Sequence, residues 1–122
     1  MENNTSEFGQ YIGMQLVKQK EGKAEVSLTV EKHHLNSQAI AHGGVLLSMM
    51  DLAMGAAASS YGSAVVTMDL QYRFFRPARL GETIYARGEV LKNGKTIVVT
   101  KGAIYIGEQC IGEASGQFFK RE

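Results

Sequence analysis

A chain of 122 residues, 44% of them hydrophobic, can bury roughly two-thirds of its unfolded surface in one core, so a single domain over 1–122 is expected. Its 13 Lys and Arg nearly cancel its 12 Asp and Glu, leaving a net charge of +1 and no electrostatic footprint for nucleic acid or an anionic membrane. The lone cysteine, Cys110, excludes an internal disulfide and Cys-rich zinc patterns, as a reducing compartment would.

Met1 to Gln10 carries acids and amides where a secretory signal would have a basic segment and an apolar run, which points to the cytoplasm and to a frayed terminus over 1–8. Ile12 to Lys18 and Lys23 to Val30 have strand character around the turn signal Glu21-Gly22. In the second of these, Ala24, Val26, Leu28 and Val30 alternate with Glu25, Ser27 and Thr29, the period of a half-buried strand. Glu31 to Ala41 has neither period and reads as a loop.

Val45 to Ala58 is apolar apart from Ser48, Asp51 and Gly55, and its Leu, Met and Ala favour helix. It is too short, and charged too near its centre, to span a bilayer. A helix this apolar must be buried on nearly all sides, by a curved sheet helped by a second subunit. Gly43 and Gly44 stand at its start, and Ser59-Ser60-Tyr61-Gly62 ends it.

Val65 to Phe74 alternates and is closed by Pro77; Glu82 to Leu91, Thr96 to Ile106 and Gln109 to Phe119 follow, separated by the hairpin signals Asn93-Gly94 and Gly107-Glu108. The expected order is two strands, a long buried helix, and four strands in an antiparallel meander, an α+β architecture. Nucleophile-elbow, Walker A, dinucleotide-binding and zincin motifs are absent from the sequence.

One constellation carries chemistry: Asn36, His42, Gly43, Gly44 and Asp51. The two glycines serve equally as a close-packing or capping element, or as unobstructed N–H donors forming an oxyanion site at a helix N-terminus. A carboxylate on an apolar helix is costly if buried unpaired, so Asp51 has either a structural hydrogen bond or a role as base or nucleophile. Asp51 lies seven positions after Gly44, about 10 Å along the axis. One small acyl group cannot touch both within one chain, so joint action requires two sites across a two-fold interface. His33, His34 and His42 match no metal-ligand spacing, and no metal is expected; His42 reads better as a residue that positions the loop. Asn36 serves as a turn residue or as a donor to a substrate carbonyl or water.

This constellation, with Asp69-Leu70-Gln71-Tyr72, Arg76-Pro77-Ala78-Arg79-Leu80-Gly81-Glu82 and Leu91-Lys92-Asn93-Gly94-Lys95-Thr96, resembles the hotdog-fold acyl-CoA thioesterases, specifically the phenylacetyl-CoA thioesterase-like subfamily, from about Phe8 to Lys120. The resemblance implies a long helix wrapped by a curved antiparallel sheet of five to six strands. It also implies a homodimer joined edge to edge through the strand after the helix, often doubled to a homotetramer. By that likeness Asp51 activates water or attacks the thioester carbon, Gly43 offers its N–H to the thioester oxygen, Asn36 orients the carbonyl or water, and His42 holds the loop. Thr67 matches a Ser or Thr that touches the family's site, although simple alternation puts it on the more polar side of its strand. Gly44 and the basic residues Lys92, Lys95 and Arg76 are candidates for binding the acyl-CoA substrate, the last three through its phosphates. No metal or redox cofactor is implied. Met49, Met50 and Met54 could line an acyl tunnel or simply form core. Ala39 departs from the family, standing where many relatives have Gly. The alternatives are a noncatalytic acyl-CoA sensor and a hydroxyacyl-thioester dehydratase of the same fold.

Overall fold

The computed structural model describes residues 5–121. In chain order it contains helix α1 (Glu7–Ile12), strands β1 (Gln15–Lys20) and β2 (Lys23–Thr29), a 3-10 turn (Lys32–His34), the long helix α2 (Gly43–Ser59), and strands β3 (Val65–Phe74), β4 (Thr83–Asn93), β5 (Ile97–Ile106) and β6 (Gln109–Lys120). All six strands join one antiparallel sheet in the order β1-β2-β4-β5-β6-β3. This sheet curves around α2 in the hotdog arrangement. Among the described residues no helix is long and apolar enough to cross a membrane.

Three sequence expectations are corrected. Residues 1–4 of the terminus expected to fray lie outside the described residues, but Ser6 starts α1, its Oγ accepting the Gly9 N–H at 3.0 Å. That helix stops at Gly13, whose φ of +91° is a left-handed cap, so β1 begins at Gln15 and not at Ile12. The four-strand meander is instead a three-strand meander, β4-β5-β6, with β3 returning beside β6. The cause is the link from Phe75 to Glu82, which crosses from one side of the sheet to the other. Phe75 and Arg76 donate to Ile111 O at 2.9 and 3.2 Å, the buried Ala78 accepts from Ala41 N–H at 2.8 Å, and Gly81 N–H reaches Val30 O at 2.9 Å. Finally, the β4–β5 turn centres on Lys95 and Thr96, closed by Gly94 N–H to Ile97 O at 3.0 Å, so β4 runs on through Asn93.

The core forms where α2 lies on the concave face. Leu46, Met49, Met50, Ala53, Met54, Ala57 and Ala58 are buried against Val26, Leu28, Ile84, Ala86, Val98, Ile104, Ile111 and Phe118. The methionines expected as possible tunnel walls are therefore core. The helix approaches so closely that a methyl group at Gly88 would lie 2.6 Å from the Ala53 carbonyl oxygen and 2.8 Å from the Met54 Cα. Because β1 and β3 are the two free edges, α2 keeps an uncovered face between them, carrying Asp51, Leu52, Gly55, Ala56 and Ser59. The burial expected from the curved sheet holds for the sheet-facing sides of α2, and on this strip the sheet of one chain does not supply it.

Gly88→Ala should lower the unfolding free energy by about 1–3 kcal/mol, since the obstruction is helix backbone that cannot move aside like a side chain. Denaturant titration measures this as a lower midpoint at unchanged slope; an unchanged midpoint would contradict the packing described.

Candidate active site

The central contact joins α2 to β3. Thr67 Oγ1 donates to Asp51 Oδ1 at 2.6 Å. Strict alternation along β3 would send Thr67 away from the helix if Leu70 and Tyr72 face it. The strand avoids this conflict with a bulge: Thr67 pairs with Phe118 and Asp69 pairs with Gln117, leaving Met68 as the extra residue. The bulge reverses the pleat, so Val65 and Thr67 face α2 on one side of it and Leu70 and Tyr72 pack on the core on the other. Asp51 is half-buried and hydrogen-bonded, which replaces the unpaired buried carboxylate considered from sequence. The contact leaves Oδ2 without a partner among the described residues. Five residues beyond Thr67 on β3, Tyr72 sits with its hydroxyl buried and, among the described residues, unpartnered, and burial, with a smaller contribution from Cys110, pushes its phenol well above the usual range. It stays neutral.

A second cluster lies at the start of α2. The Asn36 carbonyl Oδ1 accepts from the N–H groups of Gln38 (2.9 Å) and Ile40 (3.2 Å), and the Asn36 backbone N–H donates to Ile40 O at 2.8 Å. Asn36 thus closes its own loop and retains its Nδ2 as a donor. His42 is the N-cap: its N–H donates to His34 O at 2.8 Å, and its Nδ1 accepts the Gly44 N–H at 2.8 Å. Accepting at Nδ1 puts the ring proton of the neutral imidazole on Nε2. The Gly44 N–H is thereby committed, and Val45 N–H is held by His42 O at 2.9 Å, so Gly43 supplies the one N–H of this turn left without an acceptor among the described residues. A side chain at Gly43 would press on the Phe74 ring, with Cζ 3.2 Å away. His34 is buried, its Nδ1 accepting from Glu31 N–H at 2.8 Å and its Nε2 facing Ile12 O at 2.6 Å. Nε2 thereby ties the loop to α1, while Nδ1 closes the 3-10 turn on itself.

The two clusters are separate within one chain. Gly43 and Asp51 are eight positions apart on α2, about 12 Å along the axis. The candidate cations are divided too. Arg76 follows β3 beside the start of α2, whereas Lys92 and Lys95 lie on the β4–β5 hairpin near its C-terminal end, where Gly22 bridges Val90 and Ser60. All three are exposed.

Beside Asp51 the open face of α2 forms the floor of a groove of about 540 Å³ whose walls include Leu16 and Gln19 of β1, Val65 and Thr67 of β3, and Phe118. Among the described residues Asp51 is its only charged lining residue. Sequence reasoning missed these walls except Thr67. The small residues Gly55, Ala56 and Ser59, spaced along one helix face with Asp51, were the available signal.

Ala39, the departure from the family, has a φ of +63°, the left-handed region that a side chain disfavours. Ala39→Gly should therefore stabilise the protein by up to about 1 kcal/mol, the relief of strain being partly offset by the greater freedom of the unfolded chain. A thermal melt that falls would contradict this reading of the loop.

Residues 38–111, more than half of the chain, match the profile of the thioesterase superfamily. Over 84 residues the chain is 36% identical to acyl-coenzyme A thioesterase PaaI of Escherichia coli strain K12, across 69% of this chain and 60% of that protein. Over 87 residues it is 33% identical to acyl-coenzyme A thioesterase 13 of Homo sapiens, across 70% and 62%. The aligned part thus spans somewhat less than two-thirds of these two relatives. Among solved structures, the E. coli PaaI protein from the phenylacetic acid degradation operon superposes with a TM-score of 0.92 at 28% identity, over 96% of this chain and 86% of that one. The conserved protein PA5202 from Pseudomonas aeruginosa gives 0.91 at 28% identity, over 95% and 94%. With its hotdog architecture, the chain belongs to the thioesterase superfamily, and within it is similar to PaaI.

Proposed function

We propose that this protein hydrolyses the thioester of an aryl- or short- to medium-chain acyl-CoA, releasing the free acid and CoA, at a site completed by a second copy of the chain. The observation that carries this reading is the Thr67 hydroxyl on Asp51 at 2.6 Å, within a groove to which the described residues bring no other charge. A donor on Oδ1 fixes the direction of the carboxylate, leaving Oδ2 to act. It either takes a proton from the attacking water or attacks the thioester carbon itself.

The tetrahedral intermediate needs a donor at its oxygen, and at the start of α2 Gly43 N–H has no acceptor among the described residues. The roughly 12 Å between Gly43 and Asp51 means that the donor comes from the other protomer. Edge strand β3, with Val66 and Met68 exposed, is the proposed junction, as the resemblance implies. Antiparallel pairing of two β3 strands reverses one copy against the other. The start of one α2 then approaches the Asp51–Thr67 pair of its partner. The same reversal draws Arg76 of one copy toward the hairpin of the other, where Lys92 and Lys95 could share the CoA phosphates. Asn36 Nδ2 would donate to the carbonyl or to water, and His42 keeps Gly44 N–H engaged so that the turn presents Gly43. Collapse of the intermediate expels the CoA thiolate. Loss of one such donor typically removes about 2.7–4 kcal/mol of transition-state stabilisation.

Thiol release from a panel of aryl, short, medium and long acyl-CoA thioesters is the direct test. Asp51→Ala should lower turnover at least about a hundredfold with an unchanged circular dichroism spectrum, and Thr67→Val roughly tenfold, the worth of one hydrogen bond to a charged group. Acyl-CoA binding without thiol release anywhere in the panel would replace this reading with that of a sensor. In a single turnover in oxygen-18 water, label in the Asp51 carboxylate establishes a covalent route through an anhydride that water opens at the Asp51 carbon, and label confined to the acid excludes that route.

A further inference from the structure

Gln19 crosses from the β1 edge to α2, where its Nε2 donates to the Ala56 carbonyl oxygen at 2.8 Å. That carbonyl lies five positions beyond Asp51, about 7.5 Å toward the helix C-terminus, and Gln19 and Ala56 both line the groove that contains Asp51. An exposed glutamine on an edge strand has no need of this contact. Its natural partner is water. Beyond the crossing the groove continues to Ser59, Ala64 and Val65, so space remains past the amide. Past Asp51 the described lining is uncharged, which suits an acyl tail and offers nothing to the CoA phosphates.

From this we infer that the acyl group lies along the open face of α2, from Asp51 toward Ser59, and that the Gln19 amide narrows the groove at Ala56 and so limits acyl length. This rests on the acyl-CoA reading above. The amide acts by occupying space and by being held there; it does not take part in the chemistry. Gly55 and Ala56 keep the floor low enough for a chain to pass under it only when the side chain is removed. A Cβ at Gly55 would already stand 3.3 Å from the Phe118 ring.

The test compares wild type with Gln19→Ala in two assays. In the first, kcat/KM is measured over a series of straight-chain acyl-CoA thioesters. The variant should raise the ratio of long-chain to short-chain kcat/KM by at least about tenfold, the scale on which extra methylenes are discriminated in an apolar pocket. Values for the shortest substrates should stay within about twofold. In the second, calorimetry follows binding of S-alkyl-CoA thioethers of rising chain length, which carry the tail without a scissile carbonyl. The length at which affinity stops rising should move to longer chains in the variant. A wild type that hydrolyses no acyl-CoA but shows this shift in binding overturns the enzymatic reading and leaves the acyl groove standing. Hydrolysis with identical length profiles in the two proteins overturns the role of Gln19, as does thioether affinity that is independent of length in both. Gln19 is exposed on an edge strand, so a folded variant is expected, and an unchanged melting temperature checks this.

Discussion

Everything in this molecule depends on one apolar helix that a six-strand sheet can embrace but not enclose. Helix α2 presents Leu46, Met49, Met50, Ala53, Met54 and Ala57 to the concave face, and at Gly88 the sheet gives up a side chain so that the helix backbone can come within contact distance. The sheet has two free edges, β1 and β3. Between them one strip of helix is left open, and apart from Leu52 the residues on that strip are small or polar, whereas Leu46 and the three methionines all lie on the buried faces. Packing and function are therefore divided by helix face: the side turned to the sheet supplies stability, and the side turned away holds the carboxylate.

The bulge at Met68 connects these two demands. A regular β3 could bury Leu70 and Tyr72 or aim Thr67 at Asp51, but it could not do both, because side chains alternate with a period of two. One extra residue shifts the phase between Thr67 and Asp69, and both needs are met on one strand. The gain is a directed carboxylate: Thr67 takes Oδ1 and leaves Oδ2 facing the groove. At the other end of the helix a similar economy of donors operates. His42 occupies the Gly44 N–H, and Asn36 binds its own loop through Oδ1, so the groups left over are the Gly43 N–H and the Asn36 amide nitrogen.

These leftover donors and the carboxylate stand too far apart along α2 to meet on one small acyl group. The separation follows from the helical rise and does not depend on side-chain placement, which makes an assembly of two copies the simplest way to unite them. The same reasoning applies to Arg76 on one hand and Lys92 and Lys95 on the other, held at opposite ends of the helix by the crossing link and the β4–β5 hairpin.

How much of this was legible in the sequence follows the range of the forces involved. Local patterns located α2, β2, β3 and the last three strands to within a few residues, because hydrophobic period and turn chemistry act over short stretches. Asp51, Gly43, His42 and Asn36 stood out because each is chemically out of place in its segment, and their spacing carried the likeness to the thioesterases. Even the strain at Ala39 was visible as a departure from glycine. The tertiary structure decided what local patterns cannot contain. β3 pairs with β6 and not β4 because the link through Ala78 spans the sheet. Thr67 faces Asp51 because a bulge, silent in the alternation of Val66, Met68 and Leu70, changes the pleat. Met49, Met50 and Met54 are core, and Leu52, Gly55, Ala56 and Gln19 line the groove, because which face of an apolar helix stays open is settled by where the sheet ends.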